Sequence, residues 1–234
     1  MMFSALFFDF FGTLVDIFQM SDYFQNLTDM ANVLGIKPSK FRDQWMVASM
    51  ARNKEYQSVS ERVLDACERT GAGCNEEKLK EAVEIRTRFF ITRTEPRSDA
   101  IPVLEWAQNR GYALGLITNC TIELPYIWET HALAPFFPAP IFSSVENVRK
   151  PTPEIYLRAC EKLGVDPRES AFIGDGDDHE MDGASAVGMT PLLIIDHDPA
   201  SFRRHPQPEM EYSVDYLSEV PDLIQKIEKA SHAQ

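Results

Sequence analysis

The sequence predicts an α/β fold: a doubly wound parallel sheet with a helical domain inserted into it. Three observations carry that prediction. Short apolar segments recur along the chain, and each one stops at a polar residue. Segments with recognisable helix ends lie between them, which is the alternation that builds a parallel sheet. One long interval, from residue 16 to about residue 94, breaks the alternation with one amphipathic helix after another.

Residues 5–10 (ALFFDF) are apolar, rich in aromatics, and end at an acid just before Gly12, as a buried strand running into a turn does. The helices of the insertion read as DYFQNLTDMANVLG, KFRDQWMVASMARN, VSERVLDACERTG and EEKLKEAVEIRTRFF, punctuated by Gly35, Pro38, the 71–73 stretch and Pro96. The expected division is therefore a core of residues 1–15 and 95–234 and a helical cap of residues 16–94. Such a cap would exclude water and supply substrate contacts. Beyond it come a helix over 102–111 and a strand over 112–118 (YALGLIT) that is followed by Asn119. The next helix has Thr152 as N-cap, Pro153 at its first position and Gly164 past its last turn. A strand at 171–173 leads to Gly174 and Asp175, a strand at 191–195 leads to Asp196, and a helix over 221–230 follows. In such sheets ligands bind at the carboxyl ends of the strands, where the polar residues of this chain collect.

Composition narrows the functional classes. A length of 234 residues suffices for one α/β core with a modest insertion, and 44% hydrophobic against 25% charged residues is ordinary for a globular chain. A net charge of -13 repels a phosphate backbone, and no stripe of Lys and Arg interleaves with aromatics, so nucleic acid is not an expected partner. Residues 1–9 lack a basic segment leading into an apolar run, and no apolar stretch is long enough to span a bilayer. The reading is a cytoplasmic protein without a membrane partner. Cys67, Cys74, Cys120 and Cys160 have neither zinc nor dithiol spacing, and the five histidines are dispersed. These thiols are read as structural.

Four strand ends supply Asp9 with Thr13, Thr118 with Asn119, Lys150 with Pro151, and Asp175 with Glu180. Singly, an Asp at a strand end is ordinarily a turn or cap residue, a Thr is a filler, and Lys-Pro lies on surfaces. Jointly they form a set for handling phosphate. Asp9 can attack an electrophile, Thr118 and Lys150 can hold and neutralise an anion, and Asp175 with Glu180 can bind or orient a hard cation.

The run Asp9-Phe10-Phe11-Gly12-Thr13, the apolar strand ending in Thr118, Lys150 before Pro151, and Gly174-Asp175-Gly176 with Glu180 resemble the four ordered motifs of the haloacid dehalogenase superfamily. Residues 176–189 (GDDHEMDGASAVGM) resemble the usual continuation after the fourth motif, and the likeness extends over nearly the whole chain. The resemblance implies a hydrolase with a Rossmann-like core and a helical cap at the first insertion position. It also implies Asp9 as the nucleophile that forms a covalent aspartyl intermediate. By the same resemblance Mg2+ would be held by Asp9, the backbone carbonyl of Phe11 and Asp175, with Glu180 in the outer shell. Thr118 and Lys150 would act on the transferring group, Thr13 and Asn119 would bind substrate, and the substrate would be a small phosphate ester.

Phe11 departs from the pattern. Most phosphatases of the superfamily carry there a second Asp, which protonates the leaving group, and losing a positioned acid/base typically removes a factor of about 10² to 10⁴ in rate. Asp16 and Glu55 are the nearest replacements. In the metal-independent 2-haloacid dehalogenases a Tyr stands at this position, close in shape to Phe11, and Arg42 in the cap would then grip the substrate carboxylate. Imine-forming phosphonatases would need a cap lysine, for which Lys37, Lys40 and Lys54 are available, but a solvated helix face explains these better. A phosphate-binding module without turnover is the non-enzymatic alternative. Asp175 and Glu180 favour the metal-dependent phosphatase, because carboxylates crowding Asp9 raise its pKa unless a cation turns them into ligands. Asp177, Asp178 and His179 read as loop decoration, and Tyr156 as a core aromatic.

Overall fold

The computed structural model describes residues 2–51, 56–197 and 205–232. The chain forms two compact units. One comprises Met1–Ile17, Glu95–Asn119 and Ala132–Gln234, the other Phe18–Thr94 and Cys120–His131.

Among the described residues, the first unit holds a six-stranded sheet, parallel throughout: β1 Ala5–Phe8, β2 Ala113–Thr118, β3 Ile141–Phe142, β4 Ser170–Gly174, β5 Thr190–Ile194 and β6 Ser213–Val214, in the order β3-β2-β1-β4-β5-β6. The chain winds from β1 to one edge and then crosses to β4 on its other side, so the topological switch lies at β1, where open α/β sheets bind ligands. β1 pairs Ala5 with Ala113 and Ser170, and Phe8 with Leu116 and Ile173. All four of its residues are fully buried, as expected of a central strand covered on both faces. Gly115 lies across from Phe7, and a Cβ there would come within 2.2 Å of the Phe7 ring, so the close packing of β1 on β2 requires glycine.

Helices Ala100–Asn109, Pro153–Leu163, Glu180–Ala186 and Val220–His232 accompany the sheet. Pro153 opens its helix as the sequence suggests, and Gly164 closes it at φ 68°, donating to the Cys160 and Glu161 carbonyls. Thr152 holds the N-cap position, but its side chain caps nothing. Ile155 and Tyr156 of this helix pack with Phe7, Ile117, Phe172 and Met181. β3 and β6 were not expected; each has only two residues. The first strand ends at Phe8 rather than at residue 10, because the chain turns after Asp9.

The second unit contains α1 Met20–Leu34, α2 Pro38–Ala51, α3 Val59–Thr70 and α4 Glu76–Arg93. Ser58 caps α3 by accepting from the Glu61 amide at 3.1 Å while Glu61 accepts from the Gln57 amide, and Asn75 caps α4 through the Lys78 amide. Gly35 and Gly71 end α1 and α3 in left-handed conformations. Leu27, Met30, Phe41, Trp45, Val63 and Ala82 meet in the core.

Residues Cys120–His131, which follow β2 and read from sequence as core, cluster with this helical unit. The reason is Glu123. It is fully buried, accepts from Arg62 Nη1 at 2.6 Å on both oxygens and from Arg86 Nε at 2.8 Å. Arg86 also donates to Asn26 and to the Tyr23 hydroxyl, and Arg62 to Ser49. Burial alone would raise the Glu123 pKa, but the two guanidiniums outweigh it and hold the carboxyl down to about 2. Buried charges persist only when paired and hydrogen-bonded in this way. Among the described residues, no helix is long and apolar enough to cross a membrane.

Candidate active site

Asp9 is the first residue after β1, and its amide extends the β1–β4 ladder by donating to the Ile173 carbonyl at 2.9 Å. A tight turn follows, closed by Gly12 N to Val15 O at 2.7 Å and Leu14 N to Phe10 O at 2.9 Å, with Gly12 at φ 79°. A Cβ on Gly12 would lie 2.4 Å from Asp175 Oδ2. The loops after β1 and β4 therefore meet at a point that only glycine allows, and this brings Asp175 to Asp9.

Lys150 is buried, and its ammonium donates to Asp9 Oδ1 and, at 2.5 Å, to Glu180 Oε2. Glu180 opens its helix, with Oε1 accepting from the Gly176 amide at 2.9 Å and its carbonyl accepting from the Tyr156 hydroxyl at 2.8 Å. Tyr156 is thus a core aromatic that also buttresses the site. Burial pushes the Asp9 and Glu180 carboxyls above their usual range, opposed by Lys150. Burial pulls on the ammonium too, yet Asp9 and Glu180 together hold Lys150 above the usual lysine range. Asp9, which is only 6% exposed, offers with Asp175 and Glu180 carboxylate oxygens all within 4.8 Å of one another, the hard donor set that suits Mg2+ or Ca2+.

Thr13 Oγ1 and Thr118 Oγ1 are buried without a hydrogen-bond partner among the described residues. An unpartnered buried hydroxyl costs about 1–3 kcal/mol, so two of them, one in the turn after Asp9 and one at the end of β2, suit a site built to receive an anion. Asn119 differs: its amide accepts from the Lys150 N–H at 3.0 Å and donates to the Lys150 carbonyl at 3.1 Å and to Asp178 Oδ2 at 2.8 Å. Asp177 donates its amide to Asp175 Oδ1 and accepts from the His205 amide, and Gln207 donates to the Asp175 carbonyl. Asp177 and Asp178 are therefore wired into the site and are not loop decoration. Sequence reasoning missed this because nothing in the run 176–179 shows which way the turn points its side chains.

The Phe11 ring is half-buried and packs edge-on against Phe10 at 4.9 Å. The Asp16 side chain is 89% exposed, with Arg97 at 4.0 Å its ion-pair partner. Arg42 lies on α2 of the helical unit, exposed, with its guanidinium over the Phe24 ring. Lys37 and Lys40 are exposed in the same unit, and Lys54 and Glu55 lie outside the described residues.

Carboxylates, a buried ammonium and partnerless hydroxyls at the carboxyl ends of a parallel sheet define a class, the α/β enzymes that act on an anionic group. More particularly, the family model of the haloacid dehalogenase-like hydrolases matches residues 3–188, and the chain belongs to that family of hydrolases. It is 28% identical over 187 residues to a glyceraldehyde 3-phosphate phosphatase of Methanopyrus kandleri, a match covering 75% of this chain and 77% of the relative. Two solved structures share the fold. A 2-haloacid dehalogenase from Pseudomonas syringae pv. Tomato DC3000 aligns over 97% of this chain and all of its own, at 20% identity and a TM-score of 0.72. A HAD phosphatase from Thermococcus onnurineus aligns over 94% of this chain and 97% of its own, at 23% identity and a TM-score of 0.66.

Proposed function

We propose that this hydrolase is a Mg2+-dependent phosphatase acting on a small phosphorylated metabolite in the cytoplasm, with Asp9 as nucleophile and the helical unit as its cap. The observation that carries the reading is the buried set of Asp9, Asp175 and Glu180 gathered around Lys150. A third buried acid is a burden to a nucleophile that works without metal and an asset to one that works with it. The phosphatase activity named for the Methanopyrus kandleri relative supports the same choice.

Asp9, the Phe11 carbonyl and Asp175 would hold the ion. Glu180 suits an outer role, since its two oxygens are already engaged by Lys150 and the Gly176 amide. When bound, Mg2+ would polarise the phosphoryl group and favour the ionised form of Asp9. The Asp9 carboxylate attacks phosphorus, the P–O bond to the alcohol breaks, and Asp9 carries the phosphoryl group as an acyl phosphate. Thr118 and Thr13 donate their unpartnered hydroxyls to phosphoryl oxygens, and Lys150 offsets the charge on Asp9 as the two anions approach. Water then attacks phosphorus, releasing inorganic phosphate and restoring the carboxylate. The departing alkoxide needs a proton that Phe11 cannot give, so substrates with weakly basic leaving groups turn over fastest.

Phosphate release from a panel of phosphomonoesters, with Mg2+ and with chelator, tests the reading. Turnover is expected only with the metal, and Asp9→Asn is expected to reduce it by at least about 10³-fold. A second reading, carbon–halogen displacement by Asp9, draws on the aromatic ring at Phe11. Halide release from a 2-haloacid that chelator leaves untouched would select it and discard the first.

A further inference from the structure

We infer that Asn119 is a positioning residue, which with Asp178 holds the main chain of Lys150 so that its ammonium reaches Asp9 and Glu180. The inference rests on the phosphatase reading for its kinetic consequences, though not for its geometry.

A primary amide has one carbonyl and two N–H donors, and all three are used here. Oδ1 takes the Lys150 N–H, one Nδ2 hydrogen goes to the Lys150 carbonyl, and the other goes to Asp178 Oδ2. The side chain therefore has no donor left for a substrate, whereas the hydroxyl of the preceding Thr118 is buried and unpartnered. Neighbours in sequence have different work: Thr118 faces the ligand, and Asn119 faces the protein.

Asp178 and the Lys150 main chain agree on which way the amide points. A carboxylate only accepts, so the NH2 end must turn to it, which leaves Oδ1 for the Lys150 amide. Asp178 is itself held at φ 52°, a left-handed conformation rare for a side-chain-bearing residue. Lysine carries its charge on a flexible four-carbon stem, and gripping its main chain at both N–H and C=O removes one source of that freedom. The result is a relay of contacts from Asp178 through Asn119 to the Lys150 main chain, ending at the Nζ contacts with Asp9 and Glu180.

The test combines kinetics with amide exchange. Asn119→Ala is expected to lower kcat by about 10- to 100-fold with KM within about twofold, the size of effect a small misplacement of a working group produces. Placed on Lys150→Ala, the same change is expected to cost less than about twofold more, because the two act as one unit. By NMR, the Lys150 amide should exchange faster with solvent in Asn119→Ala, and in Asp178→Ala to a smaller degree. A raised KM at unchanged kcat, or a loss that multiplies fully with that of Lys150→Ala, would make Asn119 a substrate contact and overturn the inference. Unaltered exchange in Asn119→Ala would overturn it whatever the substrate is. If neither Lys150→Ala nor Asn119→Ala alters phosphomonoester turnover while exchange accelerates, the positioning role stands and the phosphatase reading falls.

Discussion

Two residues beyond Asp9, Phe11 occupies the position where the family resemblance implies a proton-carrying Asp, and the Asp16 side chain, 89% exposed, pairs instead with Arg97. Phe11→Asp is therefore expected to raise kcat on alkyl phosphates, by up to about 10²-fold, and to flatten the dependence of rate on leaving-group basicity. The half-buried ring packs on Phe10, so the variant should also lose roughly 1–2 kcal/mol of stability, read from urea unfolding. If activity and slope stay as they were, another group already moves the proton. Of the residues given the proposed chemistry, Asp9, Thr118 and Asp175 stood out in the sequence because they lie at or just past the end of an apolar run, whereas Lys150 and Glu180 were singled out by their order in the motif set. Asp178 was not, since its role depends on a backbone conformation and on Asn119, 59 residues away.

Strands of four to six residues and helices with Pro or Gly at their ends announce themselves, and β1, β2, β4 and β5 were all anticipated near their observed bounds. β3 and β6, two residues each, carry no period to read. The segment Cys120–His131 was placed with the core because it follows β2, and what draws it to the helices is a charge contact with Arg62 and Arg86, 61 and 37 residues away. Glu123→Gln leaves two buried guanidiniums without their counter-charge and is expected to cost about 3–5 kcal/mol at neutral pH. The sign of the pH effect follows from the direction of the shift. The folded-state pKa, about 2, lies below the ordinary 4.5, so the stabilisation is fully present above about 4.5 and is lost as pH falls through 2. It amounts to roughly 3 kcal/mol. Urea melts of wild type and Glu123→Gln should therefore differ most near pH 7, draw together as pH falls below about 4.5 and converge only near pH 2; a constant gap would show that the carboxylate charge is not what the segment is held by.

At the scale of the whole molecule the two units have separate cores and separate buried charge networks, one around Lys150 and one around Glu123. A ligand that binds only the folded state stabilises by about 2.7 kcal/mol at a hundred times its Kd, which for a chain of this size corresponds to about 5–10 °C in Tm. Mg2+ at that excess is expected to produce such a shift by calorimetry. With a net charge of -13, the chain also gains from any added cation through screening, so the shift alone does not establish a site. Asp175→Asn separates the two contributions: it removes a proposed ligand while changing the net charge by a single unit, so screening persists and the specific part is expected to disappear. Combining Mg2+ with Glu123→Gln then tells whether the units melt as one. If each perturbation moves its own transition, the networks are thermodynamically independent; if both move a single transition, metal at Asp9 offsets damage at Glu123, and the cooperative unit is the entire chain.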